Sequence, residues 1–151
     1  MKNKICMFCG HKDIFNEYKI SEKITDNLID LIENKKVHTF YSGGMGNFDK
    51  LCEKCVRKLK NKYPVIRLCL IIPYMSKKIL QNSEYYYQMY DEISEPDLGD
   101  VFYKRAIEKR NRWMVDNSDY IISFVFRDYG GAYNTLKYAI KKDVQIIDIN
   151  D

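Results

Sequence analysis

Long apolar runs are missing from this chain. Nothing in its 151 residues approaches the roughly 18–20 consecutive apolar positions that cross a bilayer. The N-terminal MKNKICMF carries two lysines but only a four-residue apolar stretch, too short for a secretory leader. No membrane partner is expected, and a cytoplasmic location is. Proline and glycine are scarce, at three and seven residues, which excludes collagen-like and low-complexity architectures and makes each glycine cluster a positional clue. An excess of one charge is also lacking: 25 basic residues face 21 acidic ones, for a net charge of +4. That is a thin footprint for a nucleic-acid binder, so nucleic acid is not the expected partner. The one basic run, KCVRKLKNK at 54–62, reads as a solvated helix face. The five cysteines are an odd number, so they form no complete disulfide framework, and reduced thiols are expected.

What is present is an alternation of two periodicities. ICMF (5–8), VHTFYS (37–42), VIRLCLIIP (65–73), DYIISFVF (119–126) and VQIIDI (144–149) are near-continuous apolar runs of strand length. Between them, 17–34 places Ile20, Ile24, Leu28, Leu31 and Ile32 at helical spacing, and 47–62 does the same with Phe48, Leu51, Cys52, Cys55, Val56 and Leu59. Further helices are expected at 101–117 and 133–142. Residues 74–100 are less regular; a loop, a short helix and a short strand near 92–94 are expected there. Strands buried on both faces and separated by helices predict an α/β fold. It is a single doubly wound, mostly parallel, Rossmann-like sheet of about five principal strands, with helices on both faces, filling residues 1–151 as one domain.

Such sheets bind ligands beyond the carboxyl ends of their strands, and the glycine clusters fall at those ends. Gly10, His11 and Lys12 follow the first strand, and His11 and Lys12 suit an anion or a ribose. Ser42, Gly43, Gly44, Met45 and Gly46 follow the second and lead into a helix bearing Asp49. Glycines there let the backbone approach a phosphate at a helix N-terminus; the alternative is a turn that needs glycine for geometry alone. Pro73 and Tyr74 close the third strand. Gly130 and Gly131 precede a helix that begins with Tyr133, Asn134 and Thr135; the last two can cap that helix or bond a ligand. Tyr74 and Tyr133 offer rings to a base. Arg110, Asn111 and Arg112 lie on the long helix before the fourth principal strand. Arg110 shares a face with Met114, four residues on, which turns it toward the interior.

FCGHK, FYSGGMGNFDKLCEKCVRKLKNKYP, IIPY, KRNRWMVDNSDYIISFV and GGAYNTLKYA, in this order, resemble the SLOG superfamily of Rossmann-like nucleotide-binding proteins, most of all its YpsA-like branch. The resemblance covers nearly the whole chain. It implies the fold read above and a crevice built from these loops. It does not imply one activity, because the superfamily holds LOG-type phosphoribohydrolases, DprA-like DNA-binding proteins and antiphage sensors of NAD-derived nucleotides. LOG-type enzymes carry R-K-x-x-M and P-G-G-x-G-T-x-x-E segments. Here Arg110 and Met114 keep the first spacing with Asn111 in place of lysine, while Lys137 and Tyr138 stand where the catalytic Glu would fall. Asp49 and Asp116 are the remaining carboxylates able to contribute.

The two CxxC pairs, Cys6/Cys9 and Cys52/Cys55, have zinc-like spacing. A strand, however, would send Cys6 and Cys9 to opposite faces, and Cys52 and Cys55 belong to an apolar helix face. Packing thiols are expected, with no metal. The expected function is binding of a nucleotide or NAD/ADP-ribose-derived small molecule, for sensing or for sequestration by a phage protein acting against defence, with no cofactor required. The alternatives are an N-glycosidic hydrolase of the LOG or NAD-nucleosidase type and, more weakly, DprA-like DNA binding. A homodimer is expected, with the aromatic stretch Tyr85–Tyr90 as a candidate interface.

Overall fold

The computed structural model describes residues 3–150. Six strands form one all-parallel sheet: β1 (Lys4–Gly10), β2 (Val37–Ser42), β3 (Arg67–Ile71), β4 (Glu92–Ser94), β5 (Tyr120–Phe124) and β6 (Gln145–Asp148). The helices are α1 (Glu17–Lys35), α2 (Asn47–Leu59), α3 (Lys77–Gln81), α4 (Ser83–Met89), α5 (Tyr103–Asp116) and α6 (Gly131–Lys141). The sheet order is β4-β3-β2-β1-β5-β6. The five principal strands are joined by the three-residue β4 at the edge, where the sequence suggested a short strand. The irregular middle holds two short helices rather than one.

The alternation along β1 separates two cores. Cys6 and Phe8 face α1 and α2; Met7 and Cys9 face α5 and α6. The first core gathers Ile24, Leu28, Phe40, Phe48, Cys52 and Ile122, all essentially buried. Each such side chain contributes on the order of 1.5–3 kcal/mol relative to exposure. Burial pushes the thiols of Cys6, Cys9 and Cys52 well above the ordinary range. The first CxxC pair is therefore divided between the two layers, while Cys52 and Cys55 pack on the inner face of α2.

From β1 the chain winds through β2 and β3 to β4, then crosses back to β5 on the far side of β1. The winding direction reverses between β1 and β5, whose register runs Cys6 to Tyr120 and Gly10 to Phe124. That reversal leaves a gap at the carboxyl ends of these two strands. No helix among the described residues is long and apolar enough to cross a membrane.

Candidate functional site

A cavity of about 460 Å³ opens at the reversal point. Its walls are the loop after β1 (Gly10 to Asp13), Met45 from the β2–α2 turn, Asp49 of α2, one face of α5, and the β5–α6 loop with Thr135 of α6.

Two glycines fix its geometry. A Cβ on Gly10 would stand 2.3 Å from the Phe48 ring, so only glycine lets β1 end against α2. Gly46 has φ +92°, and its Cβ would lie 2.8 Å from Lys12 Cα. The two loops are thus pressed together, and the Asn47 N–H donates to Lys12 O at 2.9 Å.

Arg110 comes off α5 at the buried position that its spacing from Met114 predicts, with 2% exposure. Its Nη1 donates to Gly43 O at 3.1 Å and to Ile71 O at 2.7 Å, tying the ends of β2 and β3 together. Nε donates to Asn111 Oδ1 at 2.9 Å, and Nη2 rests on Met45 Sδ at 3.5 Å. Among the described residues no carboxylate lies at ion-pair distance from it. Each of its nitrogens has a partner, the sulfur contact of Nη2 being the weakest, and the side chain lines the cavity.

Asp49 lies in the same wall at 9% exposure and accepts the Met45 N–H at 3.3 Å. Burial, and then the nearby Glu53 carboxylate, push its pKa up to about 7, while Arg110 acts in the opposite direction. At neutral pH this carboxyl is therefore poised between its two forms.

His11 is 7% exposed. Its Nε2 accepts the N–H groups of Phe126 (3.1 Å) and Arg127 (3.3 Å), clamping the loop that leaves β5. Burial, then the charge of Arg127, lower its pKa, which agrees with a neutral ring whose Nε2 is an acceptor.

Neither α2 nor α6 has a side-chain N-cap; their caps are Gly46 and Gly130. Helix α6 starts at Gly131, two residues before its expected start, because the second glycine already belongs to the first turn. The α6 N-terminus borders the cavity through Gly130, Gly131 and Ala132, whereas the first amide of α2, that of Asn47, is taken by Lys12 O.

Of the residues expected from sequence, Gly10, His11, Lys12, Met45, Asp49, Arg110, Asn111, Gly130, Gly131 and Thr135 come together here. Ser42 lies beneath the turn, where its Oγ donates to Glu53 Oε2 (2.5 Å) and accepts the Gly44 N–H (3.0 Å). Gly43, Gly44, Pro73 and Tyr74 face a different cavity. Arg112 points outward, paired with Glu108 at 3.0 Å and lying over the Tyr138 ring. Tyr133 is covered by Lys137, and Asn134 is exposed. Asp116 accepts the Tyr138 hydroxyl on the surface, away from the crevice. Asp13, Ile107, Arg127 and Tyr129 also line the crevice. Arg127 and Tyr129 stand directly before the second glycine pair, so their signal was adjacency to Gly130. Among the described residues no group of three metal-ligating side chains gathers.

The YpsA family model, described as the YspA SLOG family, matches residues 5–149. An uncharacterized SPbeta prophage-derived protein of Bacillus subtilis strain 168, YoqJ, is 27% identical over 139 residues, 82% of this chain and 81% of that protein. DNA processing protein A from Helicobacter pylori, described for its single-stranded DNA binding mode, superposes with a TM-score of 0.63 at 15% identity, over 98% of this chain and 66% of that one. DNA processing protein A from Streptococcus pneumoniae gives 0.52 at 13%, over 96% and 58%. This chain thus spans less than two thirds of either solved structure, and at these identities the likeness concerns the fold.

Proposed function

The chain belongs to the YspA SLOG family, and from that premise we propose that the reversal-point crevice binds a nucleotide or an NAD- or ADP-ribose-derived small molecule. Arg110 carries the reading: a buried guanidinium with no carboxylate at ion-pair distance, lining a cavity that the uncapped N-terminus of α6 also lines. Phosphate groups suit both features at once. Lys12 and Arg127 add charge at the rim, and Tyr129 offers a ring. The role is sensing or sequestration of such a molecule, and the prophage origin of the relative YoqJ favours a phage setting.

Calorimetry with NAD, ADP-ribose and AMP, together with mass spectrometry of whatever copurifies, tests this. Arg110→Ala should weaken binding at least about tenfold, as expected for a charged hydrogen bond of roughly 1.5–3 kcal/mol. Because Arg110 also ties Gly43 to Ile71, thermal melting must show the variant folded. Unchanged affinity in a folded variant rules the crevice out.

Asp49 supports a second reading, N-glycosidic hydrolysis. A carboxyl with a pKa near 7 can donate a proton to a departing base while water attacks the sugar carbon, leaving free base and a hydroxylated sugar. The Glu expected of LOG-type enzymes has no counterpart: Lys137 and Tyr138 are outside the crevice. Chromatographic detection of free base, lost in Asp49→Asn, would establish turnover; intact ligand after prolonged incubation would leave binding alone. Salt-dependent retention of single-stranded DNA would instead favour the likeness to DNA processing protein A.

A further inference from the structure

A second cavity lies on the other side of the glycine turn, over β3, and encloses about 670 Å³. It exists because of the β3–β4 crossover. Helices α1 and α2 press onto the sheet, but neither α3 nor α4 buries a single residue. The apolar floor of Leu70 and Ile72 is therefore roofed by a span that stands off it.

The wall along α2 is built from one helix face. Glu53 and Arg57 are four apart, as are Lys50 and Lys54. Glu53 is 3% exposed with both oxygens held: Oε2 by Ser42, and Oε1 by the Tyr90 hydroxyl at 2.7 Å and Arg57 Nη2 at 3.3 Å. Arg57 also donates from Nε to Met89 O at 2.9 Å and lies over the Tyr90 ring. This network fixes the end of α4 to α2.

The chemistry of the lining is one-sided. Lys50, Lys54, Arg57 and Lys78 face it against a single carboxylate, which Arg57 already engages. Lys50, Lys54 and Lys78 have no acidic partner among the described residues. Tyr74, Tyr85, Tyr86 and Tyr90 supply rings, with Tyr86 and Tyr90 stacked at 6.3 Å. Apolar floor, tyrosine walls and unpaired ammonium groups together select a flat ring carrying negative charge. We infer that this cavity is a second ligand site, for a small planar aromatic anion of nucleoside-monophosphate size, with its ring among the tyrosines and its charged group at the α2 lysines. Apart from Met45 it shares no lining residue with the first crevice, and it does not depend on that crevice being occupied.

Amide NMR titration with AMP tests it, with adenosine and inorganic phosphate as half-ligands. Saturable shifts are expected at residues 50–57 and 85–90. They should persist in Arg127→Ala, which removes a charge from the rim of the first crevice and lines nothing in the second. Lys54→Glu and Tyr86→Ala, both at non-buried positions, should each weaken binding by about tenfold while melting like wild type. Absence of these shifts overturns the proposal, as does wild-type affinity in both variants. Equal shifts from inorganic phosphate alone would show a merely charged surface and would likewise overturn it. Shifts confined to residues 50–57 and 85–90, with none at 10–13 or 127–131, would uphold this site and exclude AMP from the first crevice.

Discussion

Asp49 is the residue whose charge state has most to say. Burial raises its pKa to about 7, far above the ordinary 3.8, so folding favours its protonated form. The sign follows from linkage: its stabilising contribution is complete below the unfolded value and is lost as pH rises through about 7. Asp49→Asn keeps an acceptor for the Met45 N–H and removes the titration. The variant should therefore resist urea better than wild type at about pH 8, with the gap narrowing as pH falls and closing only near about pH 4. The crevice carries the same signature. NAD, whose pyrophosphate does not titrate near neutrality, should bind the wild type more weakly as pH rises from about 6 to about 8, because an ionised Asp49 offsets Arg110. Calorimetry on both proteins reads this, and a pH-independent affinity in wild type would remove Asp49 from the site. The charged partner was legible in sequence: Arg110 and Met114 share a helix face, and a core methionine carries the arginine inward. The raised carboxyl was not, because it depends first on burial, created by two loops that only folding brings together, and only then on Glu53.

At the scale of elements, the seam between the β1 loop and the start of α2 holds the crevice in shape. Gly46 sits at φ +92° and ψ 172°, a region essentially restricted to glycine, with Lys12 packed against the place of its missing side chain. Gly46→Ala should cost about 1–3 kcal/mol in denaturant unfolding and loosen ligand binding with it. Gly131→Ala is the contrast. It has an ordinary φ, and a Cβ there meets nothing within 4 Å, so stability should stay within about 0.5 kcal/mol of wild type or rise slightly. If both substitutions behaved alike, the seam would not be the constraint. From sequence the two glycine clusters look equivalent. Their apolar periodicities placed every principal strand and the long helices, since burial on both sheet faces writes itself as unbroken apolar runs. Residues 74–100 defeated that reading for the same reason: α3 and α4 bury nothing, so no periodicity is imposed on them.

For the whole molecule, this uneven burial means uneven resistance to opening. The sheet, α1, α2, α5 and α6 share two continuous cores, whereas the β3–β4 crossover is tied mainly by Tyr90, Arg57 and Asp91. Trypsin should therefore cut first after Lys77 or Lys78, and mass spectrometry should find both fragments still associated under native conditions. A first cut within α1 or α2 would contradict this ranking. The apolar runs of the sequence record the sheet and its winding. They do not show that α2 serves two cavities, because a helix pattern records which face is inward and not what lies along its flank.

Met45 stands where those cavities meet. It is 38% exposed, lines both, and lends its sulfur to Arg110. With both cavities filled as proposed, an occupant pressing on this side chain from one direction would change the packing felt by an occupant on the other. Reciprocity then requires that whatever factor the first imposes on the second's affinity, the second imposes on the first. Titrating each cavity with the other empty and then filled would return equal factors, and a factor of one would make Met45 an inert partition. Factors other than one would make this single flexible thioether, set beside a turn of glycines, the coupling element between two inputs.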